Sequence, residues 1–445
     1  MKERLKKIDM KSAMLYVMFA GFCGLFVSFL LQWIQAPYGL QSLAIFNQGR
    51  DFFADFFNVV FYSKDLDPYH CEYYGLAEKG YLPFSYLIFY GISRLLGYED
   101  MEQPMPTEYL MITLAMFMIT ICVVCMFFTL SKLSKLISWQ KMLLMFMLIF
   151  SGIFLFSFER GNTILLTVLF CTLFLLGYES ENKILRELSY LALAAAAALK
   201  GYPCLLGLLV VYNKDWKAVI RLIIYGLLFA FGPFLFMQGE ISDNISLWME
   251  AVSLNSEIYQ FARSPKLGMY YFIAYGMGFT LEDQVEVLAV AKPAVSFILV
   301  LGLVLNGFQT KPWKRVALIM CSILIYPANC ALYCALYLFP VIVMFFNEEK
   351  KKLGDIVYML LFLMILSPLK IIKVVNVFLM HDISLLLVNL GIIILYILLL
   401  VEAVMLSARW LGAKVEKTMP EISDSCGETQ EETQENNQET TELLQ

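Results

Sequence analysis

Apolar runs of roughly 17 to 25 residues recur along this chain from Met14 to Leu406, separated by short charged or Pro/Gly-marked stretches. A hydrocarbon core about 30 Å thick demands that spacing, and backbone without water must close its own hydrogen bonds there, so the pattern predicts an all-α polytopic transmembrane bundle. The segments fall at 14–33, 108–130, 139–156, 163–178, a broken hairpin over 188–212, 218–237, 290–306, 315–330, 331–346, 354–369 and 384–407. Together they make about ten to thirteen membrane helices. Two further apolar stretches, 81–96 and 268–279, read as interfacial or re-entrant pieces of outer loops. The first run has no small-residue cleavage site at its end and reads as a retained span.

The hairpin follows from charge as much as from hydropathy. Placing the N-terminal "MKERLKKIDMK" inside puts 131–141, 179–187, 213–221, 307–316, 347–353 and everything after 407 on the same side, and most of the 33 Lys and Arg with them. Reading 188–212 as a single span would destroy that asymmetry. Lys200, Gly201 and Pro203 sit at its middle, where glycine permits a reversal and proline removes a donor. Two short arms, each about 12 residues or roughly 18 Å, therefore meet near the outer surface. The resulting organisation is a cytoplasmic N-terminus (1–13), a transmembrane domain (14–407) whose first extracytoplasmic loop covers 34–107, and an acidic tail (408–445). From Thr418 the tail carries Glu, Asp, Gln, Thr and Asn without a basic residue and reads as solvated and disordered.

Composition sharpens this. With 60% hydrophobic and 16% charged residues and a mean hydropathy of +0.69, the chain holds more apolar surface than one soluble core could bury. Cys23, Cys122, Cys125, Cys171 and Cys321 lie inside apolar runs and read as packing residues, although Cys122 and Cys125 form a CxxC. Two histidines, His70 and His381, leave little material for a metal site, and no resident cofactor or metal is expected.

Against this background the stretch "GRDFFADFFN" is costly. Asp51 and Asp55 would share one face of a helix, with Phe52, Phe53, Phe56 and Phe57 seating it at the membrane boundary. Two carboxylates beside lipid repel, a condition that suits a proton-accepting base or a pair holding a polar ligand. The alternative is that both acids only keep the segment out of the bilayer. Arg160 in "FERGN" and Lys200 at the hairpin tip face the same side, where cations could meet an anionic lipid headgroup. Arg160 could also serve only to pair with Glu159 or Asp51 and hold the bundle.

The order "RDFFADFFN", "DLDPYH", "YLPFSYLIFYGISRLLG", "FERGNTILLTVLF" and "ALKGYPCLLGLLVVYNKDWK", over roughly residues 14–217, resembles the GT-C glycosyltransferases, specifically the glycosyltransferase 87 (DUF2029) family. Phe84 stands where the family has the second proline of Tyr-Pro-Pro, and Leu332 and Tyr333 stand where a histidine-tyrosine pair is common. The resemblance implies a polyprenyl-phosphate-sugar donor, mannose-like, and inverting transfer to a glycan or glycolipid acceptor on the extracytoplasmic face. It also implies a first-loop aspartate as general base.

Such a donor already carries its leaving group, so the chemistry asks for one base and positive charge for the departing phosphate. Asp51 is the first candidate for base and Asp55 the second. Substrate-binding candidates are Arg160, Asn162, Lys200, Tyr202 and Tyr81, with Arg263 and Lys266 in "YQFARSPKLG" behind them. A secondary transporter or a flippase-like protein is the rival reading, since broken helices and membrane charges also suit it. No nucleic-acid partner is expected.

Overall fold

The computed structural model of the protein describes residues 9–35, 53–262, 264–274, 280–368 and 383–442. Its α-helices run, in order, α1 (Met10–Gln35), α2 (Ala54–Ser63), α3 (Pro83–Leu96), α4 (Tyr109–Leu133), α5 (Ser138–Ile149), α6 (Gly152–Arg160), α7 (Ile164–Gly177), α8 (Lys183–Lys200) and α9 (Leu208–Tyr212). The second half continues with α10 (Trp216–Phe231), α11 (Ile241–Phe261), α12 (Met269–Ala274), α13 (Leu281–Leu305), α14 (Pro312–Ile325), α15 (Phe339–Asn347), α16 (Asp355–Leu366) and α17 (Ile383–Glu442). Among the described residues, five helical stretches are long and apolar enough to cross a bilayer alone: Met10–Leu31, Tyr109–Leu133, Trp216–Phe236, Leu281–Phe308 and Leu385–Lys414. The protein is an all-α polytopic membrane bundle.

Where segments differ from the expectation, local chemistry gives the reason. The run expected at 139–156 breaks into α5 and α6, bent by 58°. Ser151 caps α6 through its hydroxyl, and a Cβ on Gly152 would meet the Ser367 carbonyl at 2.9 Å, so the break lets two backbones approach. The helix expected from 290 begins at Leu281, because Thr280 and Asp283 form a reciprocal capping box. The stretch 331–346 divides into a 3-10 turn over Leu332–Leu338 and α15. Of the apolar piece 268–279, α12 forms and 275–279 lies outside the described residues. α17 keeps helical backbone to Glu442, through the stretch expected to be disordered; Glu and Gln, frequent there, have high helix propensity.

Buried in the middle is α14, whose Trp313 and Val316–325 are almost wholly enclosed by its neighbours. Lipid supplies no hydrophobic drive between helices, so dispersion contacts and satisfied polar groups hold such a core. Asn389 shows the second kind: its amide donates to Lys266 O (3.2 Å) and Leu385 O (2.8 Å), and its oxygen accepts from Gly268 N (2.8 Å).

The basic loops meet at one end of the bundle. Gln140 donates to Ser12 (2.7 Å), Asn347 to Leu133 O (2.9 Å), Lys311 pairs with Glu348 (2.9 Å), and Phe308 packs on Trp410 (5.5 Å). Asn213 donates to Glu179 (3.1 Å) and Arg221 pairs with Glu187. Because Asn213 returns beside Glu179, just before α8, the chain reverses at Gly201 as the hairpin predicts. Lys200 thus lies at the end of α8 away from that basic cluster.

Candidate active site

The motif "ERGN" is a helix stop that delivers side chains. At the end of α6, Gly161 takes φ +61° and its N–H bonds back to Phe158 O (3.1 Å), while Asn162 N reaches Ser157 O (3.4 Å). Only glycine fits. A Cβ there would lie 2.6 Å from Phe53 Cδ1 and 3.0 Å from Phe56 Cβ. Asn162 then turns both ways, its oxygen accepting from Ile164 N (3.0 Å) at the start of α7 and its amide donating to Asp55 Oδ2 (2.6 Å). Arg160 Nε donates to Asp55 Oδ1 at 3.0 Å and Nη2 to the same oxygen at 2.5 Å. Both oxygens of Asp55 are therefore engaged.

The partner segment is shaped differently from expectation. Phe53 has φ +54° and its N–H bonds to Glu159 O (2.8 Å), so α2 starts only at Ala54 and "DFFADFFN" is not one helix. Phe53, Phe56 and Phe57 do not seat it at a lipid boundary. All three are buried, packing edge-on against Phe158 (5.8 Å) and Phe89 (5.5 Å) and stacking on Tyr98 (6.2 Å). Four phenylalanines read as a membrane anchor because composition alone does not distinguish lipid from protein interior.

Lys200 closes α8, where a cation complements the helix dipole. Gly201 follows with φ +70° and opens the 3-10 turn Tyr202–Gly207. The ammonium lies 4.7 Å over the Tyr81 ring and 5.9 Å from the Tyr333 ring, and donates to Tyr81 Oη at 3.3 Å. Among the described residues it has no ion-pair partner.

A third wall comes from α11 and the turn Leu76–Lys79, which are joined by Tyr259 Oη donating to Glu78 Oε1 (2.7 Å) and Asn255 donating to Ala77 O (2.8 Å). Behind it, Leu267 N bonds to Cys330 O (2.7 Å) and Leu332 N to Pro265 O (2.8 Å), a two-rung ladder that fixes the loop carrying Asn329. These elements enclose a cavity of about 670 Å³, lined among others by Asp55, Glu78, Tyr81, Arg160, Lys200, Tyr202 and Tyr333.

Of the residues singled out from sequence, Asp55, Arg160, Lys200, Tyr81 and Tyr202 line this cavity, and Asn162 holds Asp55 from behind. Lys266 does not reach it. Its ammonium is buried and donates to Tyr259 O (2.6 Å) and Gln260 O (3.3 Å) at the end of α11, and burial lowers its pKa to about 8. Asp51 and Arg263 lie outside the described residues. Tyr333, noted from the sequence only as part of the resemblance, also lines the cavity, whereas Glu78 and the α11 face were missed, the latter because 241–261 read as outer loop. The signal was present as Trp248, Val252, Asn255 and Tyr259, spaced by four, three and four.

Neither the curated proteins nor the solved structures contain a match to the chain. The family model of glycosyltransferase family 87 matches residues 81–332, more than half of the sequence, starting at Tyr81 of the cavity and taking in Arg160, Lys200 and Asn329. The chain thus belongs to glycosyltransferase family 87.

Proposed function

We propose that this membrane glycosyltransferase moves a hexose, mannose-like, from a polyprenyl-phosphate donor to a glycan or glycolipid acceptor, with inversion at the anomeric carbon. The observation that carries the reading is Lys200: a cation without a carboxylate partner among the described residues, facing the cavity that Arg160 also lines. A lipid phosphate supplies the missing anion, and its prenyl chain suits a site enclosed by apolar helices.

In the reaction the acceptor oxygen attacks the anomeric carbon, its proton passes to a first-loop aspartate, and the bond from carbon to phosphate oxygen breaks. The electron pair leaves with polyprenyl phosphate, whose growing charge Lys200 and Arg160 balance. Asp55 already accepts from Arg160 and Asn162, which favours a holding role for it and leaves Asp51 as base. Tyr81 positions Lys200 through its hydroxyl and ring; Tyr202 flanks the sugar. No resident cofactor takes part. The basic end faces the cytoplasm with both termini, and the cavity end is extracytoplasmic.

The test is sugar transfer by the reconstituted protein from polyprenyl-phosphate mannose and polyprenyl-phosphate glucose, beside an uptake assay. Asp51→Asn abolishes transfer while leaving the protein folded. Normal transfer in that variant moves the base to Asp55, and uptake without transfer by the wild type overturns the enzyme reading in favour of a transporter.

A further inference from the structure

The cavity has two chemically different walls. Arg160 and Lys200, its two lining cations among the described residues, stand with Asp55, Tyr81 and Tyr333 on one side. Of the residues that α11 and the turn Leu76–Lys79 contribute to the cavity lining, Glu78 is the one that is charged.

On this second wall α11 presents a continuous helical stripe, Trp248, Val252, Asn255, Ser256 and Tyr259, all lining the cavity. The indole Nε1 of Trp248 is buried without a hydrogen-bond partner among the described residues, which is costly unless a ligand supplies an acceptor. Glu78 Oε1 accepts from Tyr259, and Asn329 extends the row by donating to Asn255 Oδ1 (3.1 Å). An indole with a free donor, a carboxylate, two amides and a phenol within one surface match the demands of a pyranose. Its C–H face packs on an aromatic ring, and its hydroxyls both donate and accept. A hydrophobic lipid tail would leave the Trp248 indole donor unpaired, and a phosphate or uronate would meet Glu78 with like charge.

Resting on the transferase reading above, we infer that Trp248, Asn255, Tyr259 and Glu78 form the acceptor subsite, and that it selects an uncharged saccharide. Glu78 is here a specificity-determining residue. It binds acceptor hydroxyls and excludes acidic sugars, while the cationic wall holds the lipid phosphate.

Binding by the full chain in nanodiscs separates these claims. One probe set is immobilised oligosaccharides, neutral and uronate-containing; the other is phytanyl-phosphate mannose, a short lipid-phosphate sugar. The wild type should bind neutral oligosaccharides and reject the uronates. Trp248→Ala and Glu78→Gln should each weaken neutral binding about tenfold or more, and Glu78→Gln should narrow the gap between neutral and acidic probes. Phytanyl-phosphate mannose binding should change less than about twofold in both variants, which also reports that they fold. Tyr259→Phe, nearly isosteric, should weaken neutral binding with the smallest risk to folding. Equal binding of neutral and acidic probes by the wild type, no neutral oligosaccharide bound, or unchanged neutral binding in Trp248→Ala and Glu78→Gln overturns the inference. A wild type that binds oligosaccharide but not phytanyl-phosphate mannose overturns the donor reading instead, leaving the saccharide subsite standing.

Discussion

Asp55 and Glu78 are the two carboxylates that line the cavity among the described residues, and they are held in opposite ways. Asp55 sits near the start of a buried helix with both oxygens bonded, 14% of its side chain exposed, clamped by residues delivered from a glycine turn. Glu78 projects from a 3-10 turn, exposed, with Oε1 bonded to the phenol of Tyr259. A carboxylate engaged on every side is part of the architecture, and its loss is felt by the fold. One with an oxygen turned to open space is available to a ligand, and its loss is felt by binding. The same contrast divides the cations, Arg160 being compensated by Asp55 and Lys200 resting on aromatic rings.

The most damaging substitution on the Asp55 side should be Gly161→Ala, which touches no ligand. The left-handed backbone and the contacts to Phe53 and Phe56 make a methyl there cost about 2–4 kcal/mol. Thermal unfolding in detergent should show a clear drop, with transfer activity lost alongside because Asn162 no longer meets Asp55. A variant with wild-type unfolding temperature and activity would dissolve the claim that this turn sets the clamp.

Next in size, Asp55→Asn and Lys200→Met should separate architecture from chemistry. An amide at position 55 replaces one acceptor by a donor, so either Arg160 or Asn162 faces it badly, at about 1–3 kcal/mol. Donor turnover should fall about 100-fold or more. Lys200→Met should lower turnover by a similar factor yet leave the unfolding temperature unchanged or raised, since it removes a cation with no carboxylate partner among the described residues and keeps the chain length. Matched unfolding temperatures for the two variants would erase the distinction drawn between them.

Much of this was legible beforehand for reasons that the same residues make plain. Helices α4, α7 and α14 are written as apolar runs because lipid and core ask for the same side chains, and the run around Lys200-Gly201 reads as broken because glycine permits the reversal and the Lys/Arg asymmetry of the loops requires it. The cations at 160 and 200 were visible because charge is scarce in this chain. What stayed hidden depended on tertiary partners. Phe53 adopts a left-handed backbone where its N–H meets Glu159 O and its ring packs on Phe158, and nothing in "DFFADFFN" encodes that. Lys266 read as a phosphate ligand because its carbonyl partners at 259 and 260 are invisible in a list of side chains. Glu78 was passed over because its meaning comes from Tyr259, 181 residues away in sequence.

The smallest effect concerns how the Glu78 wall is kept in place. His70 bridges two acids, with Nδ1 2.6 Å from Asp67 and Nε2 2.9 Å from Asp243, so it ties the loop after α2 to the first turn of α11. The hydrogen bond to Asp67, then that to Asp243, raises its pKa above the ordinary value of about 6.5. Because the folded pKa is the higher one, the bridge contributes fully below the unfolded value and is lost as pH rises through the folded value. All three side chains are about a third or more exposed, so the tie contributes less than about 1 kcal/mol. Binding of neutral oligosaccharide should therefore weaken modestly, about two- to threefold, as pH is raised from about 6 to about 8.5. In His70→Ala the binding should start at the weaker level and show no such slope. A slope that survives in His70→Ala would place the titrating group elsewhere, and phytanyl-phosphate mannose binding that follows the same slope would mean that the two walls are not mechanically separate.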